Sequence, residues 1–83
     1  MLNIDSFDEL MAEFRLLLQF PRNSRMAGIK LHRDVETELR SAAERLHSKG
    51  IITQTDGGYL TDRGIEAANY AHWLMDALQP TVH

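Results

Sequence analysis

Six basic residues concentrate in the middle of this 83-residue sequence: Arg22, Arg25, Lys30 and Arg33, then Arg40 and Arg45. Guanidinium and ammonium groups at this density suit contact with the phosphates of double-stranded DNA. Such contacts fix a protein's position without reading bases. The competing reading is a solvated surface. Arg40 has Glu36 four residues before it and Glu44 four after, the spacing of ion pairs along a helix. Acids therefore compete for Arg40 and Arg45, which weighs toward the surface reading. Arg22, Arg25, Lys30 and Arg33 have only Asp34 nearby in sequence, and there the two readings stand level.

Other chemistries have less to work with. The four histidines, His32, His47, His72 and His83, show no i,i+4 pairing, and the chain has no cysteine. A metal site needs several converging ligands, so ordinary surface or half-buried histidines are expected, and no cofactor. No glycine-rich phosphate loop is present, and no serine stands in a nucleophile motif with a visible partner base. We expect no enzyme and no small-molecule substrate. Without cysteines there are no disulfides, which suits a reducing cytoplasm.

The C-terminal stretch offers a different kind of site. Ile65, Ala68, Ala71, Met75 and Leu78 mark one apolar stripe, and Ala67, Tyr70 and Leu74 widen it, with Trp73 and Ala77 further round still. A surface helix needs only one stripe, and a chain this short has little with which to cover so wide a face. Two readings stay open. In one the helix is packed, its wide face covered by Phe14 and Leu18 of the first helix, with only Trp73 left partly exposed. In the other Tyr70, Trp73, Leu74 and Ala77 form an interface, most simply between two copies of the chain.

Composition sets the frame for these sites. One domain is expected over residues 1–83, with a core that 43% hydrophobic residues can fill modestly. Net charge is −3, distributed as −3 over residues 1–20, +3 over 21–50 and −3 over 51–83, counted from the same sequence. Only the middle segment tolerates a polyanion, and the overall balance opposes strong nonspecific nucleic-acid binding. The N-terminal residues lack a signal-peptide pattern, and the longest apolar run, Leu16 to Leu18, is far too short to span a membrane. A soluble, cytoplasmic protein is expected.

The elements that must position these residues follow from local signals. Ser6 with Glu9 forms a capping-box pattern for a first helix, whose stripe is Phe7, Leu10, Met11, Phe14, Leu17 and Leu18. Pro21 ends it. Residues 21–33 are ambiguous: "GIKLH" alternates as a short strand, with Ile29 and Leu31 on one side, while Asn23 or Ser24 could open a short helix. A second long helix is capped by Asp34, buries Val35, Leu39, Ala42, Ala43 and Leu46, and stops at Gly50. Ile51 and Ile52 lead into a hairpin with Asp56-Gly57 at the centre of a type I′ turn, and Tyr59 and Leu60 return. Thr61 caps a last helix that ends by Pro80.

Leu46-x-x-Lys49-Gly50-Ile51-Ile52, a tight turn, then Gly58-Tyr59-Leu60-Thr61-x-Arg63-Gly64 resembles the second half of bacterial winged-helix domains over roughly residues 35–70. The whole chain also resembles a small uncharacterised family of proteobacterial proteins. The winged-helix resemblance implies an α+β fold in which the second helix stands where a recognition helix would and the hairpin is the wing. It further implies a DNA-binding protein, a small transcriptional regulator, and the homodimer expected from the wide apolar face of the C-terminal helix fits that reading, since many such regulators bind paired half-sites. The alternative keeps the fold and binds protein without DNA. Three departures bear on the choice. Only residues 21–33 are available for the scaffold helix of about eight residues that normally precedes the recognition helix. The turn carries an acid and no base. The outward face of the second helix is Thr37, Ser41, Glu44 and Ser48, which is not a base-reading set.

Overall fold

A computed structural model describes residues 6–22 and 26–80. Within them the chain is a small α+β fold with three helices and a three-stranded antiparallel sheet, compatible with a winged-helix-like arrangement. The elements run α1 (Phe7–Leu17), β1 (Ile29–Lys30), α2 (Thr37–Ser48), β2 (Ile52–Gln54), β3 (Gly57–Leu60) and α3 (Asp62–Leu78). The sheet order is β1-β3-β2. Its core gathers Leu16 and Phe20 from the α1 side, Ala42, Ala43 and Leu46 from α2, Ile52 and Leu60 from the hairpin, and Ala68 from α3.

The end of α2 forms as its sequence dictates. Gly50 takes a positive φ of 76°, which a residue with a Cβ adopts only at a cost. The amide of Ile51 donates to the Leu46 carbonyl at 2.9 Å and that of Gly50 to His47 at 3.0 Å. These are the two bonds of a Schellman motif, and its usual apolar contact is supplied by Leu46 and Ile51, both buried. At the start of α3 the Thr61 hydroxyl accepts from the Gly64 amide at 3.0 Å and donates to the Gly50 carbonyl at 2.6 Å. One side chain thus caps α3 and ties it to the end of α2. Gly64 has an ordinary backbone conformation, but a Cβ there would collide with the Ile51 carbonyl oxygen. The Leu-Thr-x-x-Gly run therefore has a physical reason at each fixed position: Leu60 fills the core, Thr61 caps, and Gly64 lets α3 lie on the backbone of residue 51.

The structure corrects several sequence expectations. Ser6 stands at the N-cap of α1, but its backbone is not extended (φ −97°, ψ 1°) and its side chain makes no cap hydrogen bond, so the capping box does not form. The buried residues of α1 are Ala12, Glu13 and Leu16, whereas Phe7, Leu10 and Met11 of the expected stripe are exposed. The reason is that α1 packs mainly on α2 and only lightly on α3. The helix α2 starts at Thr37 with Glu36 at the N-cap, not at Asp34. A single turn, closed by the Val35 amide and the His32 carbonyl at 3.1 Å, precedes it, and no further helix stands between β1 and α2.

Within residues 21–33 the strand reading holds at Ile29–Lys30; the alternative caps Asn23 and Ser24 lie outside the described residues. The hairpin turn is centred on Thr55-Asp56, one residue earlier than expected, because Gln54 pairs with Gly57 while Ile52 pairs with Leu60. The offset places an extra residue on β3, a bulge. Gly57 and Gly58 take positive φ there. Finally, the lower part of the expected α3 stripe is uncovered: Met75 and Leu78 are exposed.

Candidate interaction surfaces

Two faces of the molecule could meet a partner. The first is the outward side of α2, which the resemblance marks for DNA. Arg40, expected to pair with Glu36 or Glu44, turns back and donates to the carbonyls of His32 at 2.7 Å and Arg33 at 3.0 Å. It closes the turn before α2. Glu36 lies instead 3.6 Å from Arg15 of α1. Arg45 points to α1: its Nε is 2.9 Å from the Glu13 carboxylate, and its guanidinium reaches the Glu9 carbonyl at 3.1 Å. Lys49 binds the other oxygen of Glu13.

Glu13 is buried, and a carboxylate at that depth is tolerated because two cations flank it. Reading the sequence missed Glu13. The available signal was Arg45 and Lys49, like charges four apart on one helix face, a mildly unfavourable pair that an acid on a neighbouring helix relieves. Arg22 is ion-paired with Asp76 of α3. Lys30 and Arg33 are exposed, and Arg25 lies outside the described residues. Among the described residues, Arg22, Arg40 and Arg45 are thus engaged with α3, with the turn before α2 and with α1 respectively, while Lys30 and Arg33 stand exposed. Between α1 and α2 lies a cleft of about 310 Å³ lined by Asp8, Glu9 and Glu38 against Arg45, together with Ala12, Thr37 and Ser41, so its lining is acidic on balance.

The second face is apolar. Leu10, Phe14 and Leu17 of α1 and Ala67, Tyr70, Ala71 and Leu74 of α3 line an open groove of about 340 Å³, floored by Leu46 and with Glu13 as its one charged lining residue. It exists because α1 leans on α2 and leaves a gap toward α3. Next to it, Asn69, Tyr70 and Trp73 border a second hollow. Tyr70 and Trp73 are each 67% exposed, and Leu74 and Leu78 are also exposed. Ala77 is exposed beside them. The reading in which α1 covers this face through Phe14 and Leu18 does not hold for Tyr70 or Leu74, while Trp73 is exposed under either reading. All four residues proposed as an interface are solvent-facing.

The histidines do other things. His72 Nε2 lies 2.8 Å from the Phe20 carbonyl oxygen, pinning the chain after α1 to α3. His32 and His47 are exposed, and His83 is outside the described residues. Among the described residues no three His, Asp or Glu side chains converge on a point that could hold a metal ion, and no helix is long and apolar enough to cross a membrane.

A family model described as a family of unknown function, DUF5669, matches residues 5–79. No curated protein and no solved structure matches the chain. With almost the whole sequence covered, the chain belongs to that family.

Proposed function

We propose that this DUF5669 protein is a protein-docking module, and that it docks through the apolar face built by α1 and α3. The observation that carries this reading is the groove lined by Leu10, Phe14, Leu17, Ala67 and Leu74, with Tyr70 and Trp73 standing beside it in solvent. Leaving large aromatic side chains wet forgoes the free energy of burying them, about 1.5–3 kcal/mol for a large apolar side chain. Contiguous apolar surface on a soluble domain marks an interaction site, and Trp and Tyr are the side chains that most often anchor one.

The electrostatics support the same choice. Arg22, Arg40 and Arg45 are engaged within the molecule, so fewer of their N–H groups are free to turn toward a phosphate. The exposed Glu38 and Glu44 on α2 would face a polyanion docked there, and repulsion opposes it.

A second reading retains duplex DNA, as part of a transcriptional regulator. Its support is that Lys30 and Arg33 are exposed beside the start of α2, where they can meet phosphates. A titration separates the two. In about 50 mM salt, where nonspecific affinity is strongest, a mixed-sequence duplex should show no salt-dependent association with the protein up to ~100 μM. Binding that weakens on Lys30→Ala with Arg33→Ala, with a salt slope flattened by about 0.9 per lost contact, would overturn the docking reading in favour of DNA.

A further inference from the structure

We infer that the occupant of the α1–α3 face is a second copy of this chain, related by a two-fold axis, with Trp73 of each protomer seated in the groove of the other. This rests on the docking reading above and adds the partner's identity. A two-fold contact needs a patch that is complementary to itself. This face has both halves of such a fit: a protruding aromatic, Trp73, and an apolar groove one side-chain row away.

The charges favour a copy of the same chain. Two copies each carry a net charge of −3, so a contact that sets no unpaired like charges against each other is favoured. Between Ala67 and Leu78 the one Asp, Glu, Lys or Arg is Asp76, and Arg22 neutralises it. Glu13, at the edge of the groove, is held by Arg45 and Lys49. The extent also matches. Phe7, Leu10, Tyr70, Trp73, Leu74 and Leu78 are between 37% and 71% exposed. At roughly 200 Å² for a large side chain they present ~670 Å², and the groove walls bring the face near the ~800 Å² per partner of a standard interface.

The position of Trp73 fixes the orientation of the two helices. Viewed down α3, Trp73 lies on one side of Tyr70 and Ala77, and the groove residues Ala67 and Leu74 lie on the other, as 100° per residue requires. An axis running across the helices would set Trp73 against Trp73. An axis running along them carries the Trp73 side of one copy onto the groove side of the other, so the two α3 helices run parallel. The same operation brings Glu66, on the Trp73 side, to Arg63, on the groove side, twice; both residues are exposed.

Sedimentation of the full chain from ~1 to ~100 μM, where many interfaces of this size dissociate, should show a mass rising to twice the 9.5 kDa of the chain. Emission of Trp73, the one tryptophan, should shift to the blue over the same range. Trp73→Asp should weaken association at least ~30-fold with helicity unchanged. Because the chain lacks cysteine, Glu66→Cys and Ala77→Cys can each be tested alone with a short thiol cross-linker, and each should join to itself. A monomer throughout, a dimer in which Trp73 emission does not move, or self-joining at only one of the two positions would overturn the inference. A monomer removes the second copy but leaves the docking face standing, since that face falls only to the DNA titration or to the cross-linking comparison that closes the Discussion.

Discussion

The junction of α2, the hairpin and α3 differs sharply from the face shared by α1 and α3. At the junction, the Schellman bonds, the Thr61 hydroxyl and the close approach of Gly64 to residue 51 leave no room for change. At the α1–α3 face, large apolar side chains stand in water around an open groove. The first region determines what the fold is. The second has no architectural use for Trp73 or Tyr70, so function is the better account of them. The fold resemblance resides wholly in the first region, which is why it informs about architecture and says little about partners.

Substitutions test this contrast by where they are felt. The largest effect is expected from Gly64→Ala. The added methyl meets the Ile51 carbonyl, a backbone atom that cannot rotate away, and should cost about 3 kcal/mol in chemical denaturation. If the midpoint does not fall, α3 does not lie on residue 51 as described. Glu13→Ala comes next. It leaves Arg45 and Lys49 facing each other at the α1–α2 contact, and because both cations are partly exposed the expected loss is about 2 kcal/mol rather than the full cost of a deeply buried pair. Replacing Glu13 and Arg45 together by apolar residues should recover much of that loss.

A smaller effect, about 1 kcal/mol, is expected for Thr61→Ala, which removes the α3 cap. Thr61→Ser, which keeps the hydroxyl, should recover most of it. The smallest stability change belongs to the other region. Leu74→Asp should alter the monomer's stability by no more than about 0.5 kcal/mol, while abolishing whatever docks on the face. A large loss of monomer stability on Leu74→Asp would mean that the groove is part of the core.

The same contrast explains what could be read from the sequence. Gly50, Thr61 and Pro80 act within a few residues of themselves, so their chemistry announces a helix stop, a cap and an end wherever they stand. The stripe Phe7, Leu10, Met11 was equally visible, yet it is exposed, because periodicity finds an apolar face without saying which helix will cover it. The hairpin was legible and its centre was not. The register is set by Leu60 and Ile52 facing the core and by β1 approaching Gly57, and these distant partners move the turn back to Thr55-Asp56. For the basic residues, spacing suggested helical pairs. Arg40 and Arg45 instead found a carbonyl cage and an acid on α1, contacts separated by 7 to 36 positions.

The central claim is that partners meet the α1–α3 face and not the α2 face. The most direct measurement places a photo-activatable cross-linking residue at Leu74, at Ser41 on α2, or at Tyr59 on the wing, and compares the protein adducts formed in cells. The account predicts a discrete adduct from Leu74 that disappears when Trp73→Asp is added, and none from Ser41 or Tyr59. Adducts from Ser41 or Tyr59 with none from Leu74 would contradict it.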